Sequence, residues 1–250
     1  MGNRSSKKRK KKNHRLYAAV VLILGIVITV LAAGLLFYIQ EIQVTGNQYC
    51  GSQEIIDCVQ NDKASVNSIY VKLKYALGMG KKPACLDEIE IRMKNPWTVQ
   101  VKVKEKEVIG YVKHKKTYLW LDKDGLVVCK ENTAPADVPE ISGFRLKKKK
   151  LYETLKTSNA ARFSMALEAC EESLKYGYRT EKITLEEYEL YMYLENIRAC
   201  LGTSVSSEKI AQIGPIVEKL DGRAGILHLE SYSEENTAIT FDEEENSKEN

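Results

Sequence analysis

The stretch Leu16–Ile39, LYAAVVLILGIVITVLAAGLLFYI, decides the organisation of this 250-residue chain. It carries no charged residue and consists almost wholly of Leu, Ile, Val, Ala and Gly. A helix of this length reaches about 36 Å, enough to cross a hydrocarbon core of roughly 30 Å. A buried core helix would keep polar residues on one face, and a signal peptide usually has an apolar run of only about 7–15 residues. The stretch therefore predicts an uncleaved transmembrane helix, with cleavage after the small residues Ala32–Gly34 as the alternative.

Charge on the short segment before this helix predicts its orientation. Residues 1–15 contain no Asp or Glu and eight cations, namely Arg4, Lys7, Lys8, Arg9, Lys10, Lys11, Lys12 and Arg15. Short flanks rich in Lys and Arg stay in the cytoplasm, so we expect a cytoplasmic N-terminus and residues 41–250 outside. A basic run can also bind nucleic acid. Because this one directly abuts the apolar stretch, contact with anionic lipid is the favoured interpretation.

The part after the helix is mildly acidic and large enough for two domains. The chain has 38 Lys and Arg, eight of which precede the helix, so the remaining 30 face 34 Asp and Glu. This balance does not favour a nucleic-acid partner. All six cysteines lie in the exterior part, where an even count permits disulfides. Their wide spacing does not indicate a zinc site, and buried free thiols are the favoured interpretation.

Residues 40–107 predict a small sheet covered by two helices. Ile42–Val44 alternates like a strand, and Ser52 and Ser68 are the expected helix caps. Period-two alternation predicts two further strands around Ile91 and Val101. The residues expected to face inward from the helices are Ile55, Ile56 and Val59 in the first, and Ile69, Leu73, Ala76 and Leu77 in the second.

This order of strand, helix, helix, strand, strand resembles a POTRA domain. A POTRA domain directly after a single N-terminal membrane span resembles the FtsQ/DivIB family of bacterial cell-division proteins. The motifs that carry the resemblance run in the family's order over roughly residues 40–145. They are Val44-Thr-Gly46-Asn47 with Ser52 and Glu54-Ile55, then Pro96 with Val101-x-Val103-x-Glu105, Tyr118-Leu-Trp-Leu-Asp122-x-x-Gly125, and Val138-Pro139-x-Ile141-x-Gly143. Lys106 and Val108 stand where the family usually has Arg and Pro.

Residues 108–242 predict a mostly antiparallel β domain with accessory helices, followed by an acidic, disordered tail at 243–250. A long helix is expected from Ser158 to Tyr176, with Phe163, Leu167, Cys170 and Leu174 on one face. Another helix is expected to bend at Gly214-Pro215. Successive hairpins supply the rest, including a strand at Thr117–Leu121 and one at Tyr188–Leu194, in which Leu190, Met192 and Leu194 are expected on the buried face. This arrangement resembles the family's C-terminal β domain. The fold class is thus α+β. The basic run Lys147–Lys150 is interpreted as a solvated loop, with a phosphate or lipid patch as the alternative.

No motif for catalysis, metal binding or cofactor binding is present in the sequence. The exterior histidines, His114 and His228, have no neighbouring residues that would form a nucleophilic site. We therefore expect no enzyme activity, no cofactor, no metal and no small-molecule substrate. The alternative is an anchored exterior enzyme or ligand sensor, which a deep polar pocket in the second domain would favour.

The last apolar segment, Thr237-Ala238-Ile239-Thr240-Phe241, is the candidate partner-binding site. It follows the predicted strand Gly225–Glu230 and is expected to form an uncharged strand at the edge of the sheet. Such an edge can accept a strand from another protein. The resemblance implies partners similar to FtsB/DivIC and FtsL, a role in regulating septal peptidoglycan synthesis, and enrichment at the septum. An internal strand is the alternative.

Overall fold

The computed structural model describes residues 11–233 and 235–244. Its first helix, α1, spans Lys11–Leu36, and the part suited to crossing a membrane is Leu16–Leu36, with a mean hydropathy of 3.0. The anchor predicted to reach Ile39 is thus three residues too long. Tyr38 forms a β-bridge with Asn67, and Ile39 is only 7% exposed, so both already belong to the fold that follows. Residues 1–10 of the predicted cytoplasmic tail lie outside the described part.

The chain divides into two compact units, one ending at Glu105 and the other beginning at Lys106. After α1, the first unit has the predicted order of strand, helix, helix, strand, strand. Its sheet has the order β1-β3-β2, with β1 parallel to β3 and β2 antiparallel to β3. The elements are β1 Glu41–Thr45, α2 Ser52–Val59, α3 Ser68–Ala76, β2 Leu86–Asn95 and β3 Thr98–Glu105.

Both predicted helix caps in this unit are wrong by one residue. Gly51 precedes α2 without a side-chain cap, and Ser52 is already helical. Asn67 caps α3, because its side chain accepts hydrogen bonds from the backbone of Ile69 and Tyr70. The Ser68 hydroxyl instead donates to the carbonyl oxygen of Pro96 at 2.5 Å.

The predicted buried face of α3 is also wrong, whereas that of α2 is mostly confirmed. Ile55 and Val59 of α2 are fully buried and Ile56 is half-buried. In α3 the residues that face inward are Ser68, Val71 and Lys74. The four residues predicted to face inward from α3 are all exposed, namely Ile69, Leu73, Ala76 and Leu77.

Polar interactions explain how α3 can face inward with a lysine. The Lys74 ammonium lies 2.6 Å from Asn61 Oδ1, 2.6 Å from Asp62 Oδ2 and 3.1 Å from Ser65 Oγ. A buried cation is tolerated when a counter-charge and hydrogen bonds satisfy it. The hydrogen bond from Lys74 lowers the pKa of Asp62.

A disulfide joins Cys50 to Cys85, so the interpretation of all six cysteines as free thiols is wrong for this pair. The bond links the loop after β1 to the start of β2. Among the other cysteines, Cys58 is half-buried and the remaining three, Cys129, Cys170 and Cys200, are buried free thiols.

The second unit is built on a nine-stranded sheet with the order β14-β13-β12-β11-β10-β7-β4-β5-β6. Most neighbouring strands are antiparallel, as predicted, but β4/β7, β7/β10 and β12/β13 are parallel. The strands are β4 Gly110–His114, β5 Thr117–Leu121, β6 Val127–Glu131, β7 Glu140–Ser142, β8 Leu146–Lys148, β9 Lys156–Thr157, β10 Lys182–Glu186, β11 Glu189–Leu194, β12 Ile197–Gly202, β13 Gly225–His228 and β14 Thr240–Glu243.

Three helices pack against this sheet and contribute to its core: α4 Ala160–Lys175, α5 Ser207–Ala211 and α6 Ile213–Leu220. The face predicted for α4 is confirmed, because Phe163, Leu167 and Cys170 are buried. The bend predicted at Gly214-Pro215 is instead a break at Gln212, between α5 and α6. Pro215 then falls in the first turn of α6, where the missing backbone N–H costs no helical hydrogen bond.

Candidate partner-binding edge

The predicted partner-binding segment lies at the sheet edge, but its strand begins three residues later than expected. Thr237, Ala238 and Ile239 precede β14, which includes Thr240 and Phe241. The reason is a turn around Asn236, whose backbone exchanges hydrogen bonds with Ser233 and whose side chain accepts one from Ala238 N. Asp242 and Glu243 therefore belong to the strand, and the edge is acidic rather than uncharged. Tail residues 245–250 lie outside the described part.

The register of β14 shows which backbone groups face the open side. Glu244 N donates to Ala224 O at 3.0 Å, beside the pairs Gly225↔Glu243 and Ile226↔Asp242. Residues of an antiparallel strand face their neighbour alternately. The backbone N–H and C=O groups of Thr240 and Asp242 thus point toward β13, whereas those of Phe241 and Glu243 point away from it. Within residues 11–233 and 235–244, no further strand pairs with that side.

The opposite edge of the sheet, β6, is partly covered by the chain itself. Val127 N donates to Glu153 O, Tyr152 N donates to Val127 O, and Leu126 forms a β-bridge with Thr154. An edge that already has a neighbouring segment is protected from strand addition. Of the two edges, β14 is therefore the less covered in the part of the chain that the structure describes.

Side chains on β13 and β14 make the open edge strongly polar. His228 Nε2 lies 3.3 Å from Asp242 Oδ2, and His228 Nδ1 lies 3.0 Å from Glu230 Oε1. Glu243 forms a longer contact with Arg223, 3.7 Å between charged atoms. Phe241 faces the opposite side and packs against the core, where its ring lies beside Gly225. The strand is thus held by an apolar contact beneath and carries acidic groups at its end.

A connected polar network covers the same sheet face further inward. Arg198 stacks on the ring of Tyr191, with 4.1 Å from its guanidinium carbon to the ring centroid, and pairs with Glu186. Tyr193 donates to Glu186 at 2.8 Å. The predicted alternation of this strand is confirmed, since Leu190, Met192 and Leu194 are buried on the other face. An open cleft of about 510 Å³ lies here, lined by Glu186, Glu187, Tyr188, Glu189, Tyr191, Arg198 and Thr203.

A second open cleft, of about 270 Å³, lies beside the basic run Lys147–Lys150. Lys149 Nζ is 2.8 Å from His114 Nε2, and partial burial followed by the charge of Lys149 lowers the pKa of His114. Lys148 and Lys150 both contact Glu153. The run is therefore partly in strand β8 and partly neutralised, rather than a wholly solvated loop. Among the described residues, no group of three His, Cys, Asp or Glu is arranged to hold a metal ion.

Comparison with known proteins gives two curated relatives, and no protein-family model matches. The chain is 31% identical over 110 residues to "Cell division protein DivIB" of Pediococcus pentosaceus, covering 43% of the chain and 30% of that protein. It is 29% identical over 117 residues to "Cell division protein DivIB" of Clostridium acetobutylicum, covering 46% of each. These matches agree with the motifs and with the anchor followed by an α+β fold. The chain is thus similar to members of the FtsQ/DivIB family. It matches less than half the length of either relative.

Two glycines of the FtsQ/DivIB-like motifs, Gly46 and Gly143, lie where the backbone conformation and the surrounding space favour glycine. Gly46 has a φ of +93°, and a Cβ atom there would lie 2.3 Å from Val103 O. Gly143 has a φ of +81°, and its Cβ would lie 2.1 Å from Leu185 O. Both positions thus require glycine, since neither the backbone conformation nor the space admits a side chain. Asp242 and Glu243 were not predicted as edge residues. Asn236, a residue type that is favoured in turns, was the sequence signal for the later start of the strand.

Proposed function

We propose that this chain is a membrane-anchored, non-catalytic assembly protein of cell division. Its exterior domains bind membrane proteins similar to FtsB/DivIC and FtsL, and the complex helps to regulate septal peptidoglycan synthesis. The names of the two relatives support the cell-division role. The observation that carries the binding role is the open backbone edge of β14, which can accept a strand from a partner.

In this proposal the FtsB/DivIC-like protein adds a strand next to β14. The outward N–H and C=O groups of Phe241 and Glu243 supply the main-chain hydrogen bonds. Asp242, Glu243 and Glu244 are exposed, so a partner segment with Lys or Arg near the strand fits the edge best. The predicted site Thr237–Phe241 is thereby extended, with Thr237, Ala238 and Ile239 as the segment that leads into the strand.

A pair of substitutions at Glu243 tests this proposal. Glu243→Pro removes one outward N–H group, and proline is tolerated on the exposed side of an edge strand. Glu243→Ala removes the same carboxylate and the Arg223 contact but keeps the N–H group. We expect the proline variant of the full-length protein to lose co-purification of the FtsB/DivIC-like protein, and the alanine variant to retain it.

The control for this experiment is a measurement that shows whether the sheet of the second unit is still folded. Phe241 packs against the core, so near-ultraviolet circular dichroism of the proline variant should match that of the alanine variant. Retained partner binding by a folded Glu243→Pro protein would exclude strand addition at β14. Equal loss in both variants would indicate that the carboxylate, and not the backbone edge, holds the partner.

The proposed topology has the N-terminus in the cytoplasm and both units outside, with enrichment at the septum. The basic segment at residues 1–15, which precedes the apolar part of α1, supports this orientation. A protease added to intact protoplasts should remove both units. Digestion only after the membrane is opened would exclude this orientation.

The alternative of an anchored ligand sensor has one observation in its favour, the cleft at Arg198. Four residues of this cleft bind one another in the pairs Arg198–Glu186 and Tyr191–Glu189, although Arg198 Nε is buried without a hydrogen-bond partner among the described residues. Satisfied groups of this kind gain little from an added ligand, whereas the backbone groups on the outer side of β14 have no strand beside them in the described part. We therefore favour the assembly role.

A further inference from the structure

Helix α3 carries an apolar stripe on its outer surface. Ile69, Leu73 and Leu77 are spaced four residues apart and are 45%, 54% and 61% exposed. Residues at this spacing lie on one side of a helix. Val66 before the helix and Met79 after it extend the apolar surface and are 40% and 62% exposed. We name these five residues the α3 stripe.

The α3 stripe is not the side of the helix that packs against the rest of the first unit. The inward side of the helix is already occupied by Ser68, Val71 and Lys74. Full burial of a Leu or Ile side chain is worth about 1.5–3 kcal/mol. Contiguous apolar surface of this kind marks a site that contacts a protein or a membrane.

The beginning of α3 is fastened to the end of the membrane span. Ser68 N donates to Phe37 O at 2.9 Å, and Ile39 N donates to Val66 O at 2.8 Å. The span helix ends at Leu36, so the first of these bonds involves the very next residue. The N-terminal end of the stripe is therefore at the point where the chain leaves the bilayer.

Exposed aromatic side chains surround the same point. Tyr38 follows the span, Tyr70 lies in the first turn of α3, and Trp97 accepts a backbone hydrogen bond from Gln40 N at 2.9 Å. These three residues are 53%, 39% and 41% exposed. Tyr and Trp are enriched where a membrane protein passes through the lipid headgroups.

The charges next to the stripe also suit an anionic lipid surface. Lys63, Lys72 and Lys81 are exposed, and Lys72 lies on α3 itself. The nearby carboxylate of Asp62 is paired with Lys74, so it offsets little of this positive charge. Cations beside an apolar helical stripe are typical of helices that lie in the membrane interface.

We propose that α3 lies against the outer surface of the bilayer, with the α3 stripe inserted among the lipid headgroups and upper acyl chains. The span and α3 then form one continuous lipid-contacting surface, joined by the hydrogen bonds at Phe37 and Ile39. This contact is independent of partner binding at β14. A partner helix covering the stripe is the competing outcome, which the following experiment excludes or establishes.

The experiment uses the full-length protein in vesicles of phosphatidylcholine and phosphatidylglycerol. The chain has two tryptophans, Trp97 and Trp120, and both are first replaced by Phe. Leu73→Trp then places a single fluorescent reporter on the stripe. Lys102→Trp is the matched control, because Lys102 is exposed on the sheet face opposite the helices. Lipids brominated on their acyl chains quench tryptophan by contact, and both leaflets have the same composition, so protein orientation does not matter.

We expect brominated lipid to remove most of the emission of the Leu73→Trp reporter and to leave the Lys102→Trp reporter unchanged. An unquenched Leu73→Trp reporter in these partner-free vesicles would overturn the proposal and favour a protein partner. Equal quenching of both reporters would also overturn it, because contact would not be specific to α3.

A second measurement keeps Trp97 and does not depend on the double Phe background. In a Trp120→Phe protein, Trp97 reports the span exit directly. Leu73→Asp with Leu77→Asp should reduce the quenching of Trp97 by brominated lipid, whereas Lys102→Asp with Lys104→Asp should not. Unchanged quenching in the Leu73 and Leu77 variant would count against insertion of the stripe.

Discussion

The carboxylate of Glu105 accepts a hydrogen bond from the backbone N–H of Cys50 at 2.7 Å. It also accepts one from Tyr49 N at 3.2 Å. Glu105 is the last residue of β3, and the two donors lie in the loop after β1, so the contact closes the first unit. The glutamate of the Val101-x-Val103-x-Glu105 motif is therefore a structural residue in this chain.

Removing this carboxylate should destabilise the first unit. A hydrogen bond to a charged group contributes about 1.5–3 kcal/mol, so we expect Glu105→Ala to lower the free energy of unfolding by about that amount. Glu107→Ala is the matched control, because Glu107 is exposed. Urea denaturation of the detergent-solubilised protein measures both. Equal effects at the two positions would contradict the structural role of Glu105.

The disulfide between Cys50 and Cys85 should be a major source of stability. It closes a segment with a sequence separation of 35, for which the chain-entropy model gives about 4 kcal/mol. We expect a reducing agent to lower the denaturation midpoint of the native protein but not that of a Cys50→Ala, Cys85→Ala protein. Cys58→Ala, which removes a free thiol from the same unit, should keep the response to reductant.

Thiol counting checks the same bond without unfolding data. Alkylation of the denatured, unreduced protein should modify the four free cysteines Cys58, Cys129, Cys170 and Cys200. Modification of all six would show that Cys50 and Cys85 are not joined.

Lys209 should give the second unit a distinctive pH dependence. It is 2% exposed, and its ammonium donates to Leu201 O at 3.1 Å and to Ser204 O at 3.0 Å. Burial lowers its pKa, so the unfolded chain binds more protons than the folded one over the range between the lowered pKa and the ordinary lysine value of about 10.4. Stability therefore rises with pH across that range.

This slope should disappear in Lys209→Met, which has no group to titrate. We expect the native protein to gain stability relative to Lys209→Met as the pH rises from the lowered pKa of Lys209 toward about 10.4. Lys219→Met is the control, because Lys219 is exposed on the neighbouring helix α6 and its loss should leave the slope intact. Parallel pH profiles for the native protein and Lys209→Met would refute the prediction.

The two units should fold separately, with a boundary near residues 105–108. A protein containing residues 40–107 would keep the sheet β1-β3-β2, both helices and the disulfide. We expect cooperative thermal unfolding and well-dispersed amide resonances from this fragment. A molten or insoluble fragment, alongside a well-folded protein of residues 41–242, would show that the first unit depends on the second.

Alternating and helical hydrophobic patterns were sufficient to predict the position and the buried residues of elements that bury one apolar face. β5 has the predicted bounds Thr117–Leu121, and the buried residues of α4 and β11 are those that the patterns indicated. The same rule failed for α3, because Lys74 and Ser68 find polar partners inside and take the inward face. A single apolar pattern cannot distinguish a face buried in protein from one left outside.

The remaining differences depend on contacts distant in sequence. The Cys50–Cys85 pairing follows from the fold of the first unit, and cysteine spacing alone allows many pairings. The parallel pairs β7/β10 and β12/β13 require chain crossings through α4 and through α5 with α6. The late start of β14 depends on a local turn at Asn236, so the predicted edge strand was placed three residues too early.

The hydrogen bonds of Phe37 and Ile39 have a mechanical consequence. With a single residue between the end of the span helix and the first β-bridge at Tyr38, the joint has almost no slack. Membrane helices tilt when the thickness of the bilayer changes. In this protein such a tilt would be transmitted to α3 and to the β1-β3-β2 sheet, so the first unit would change its orientation together with the membrane helix.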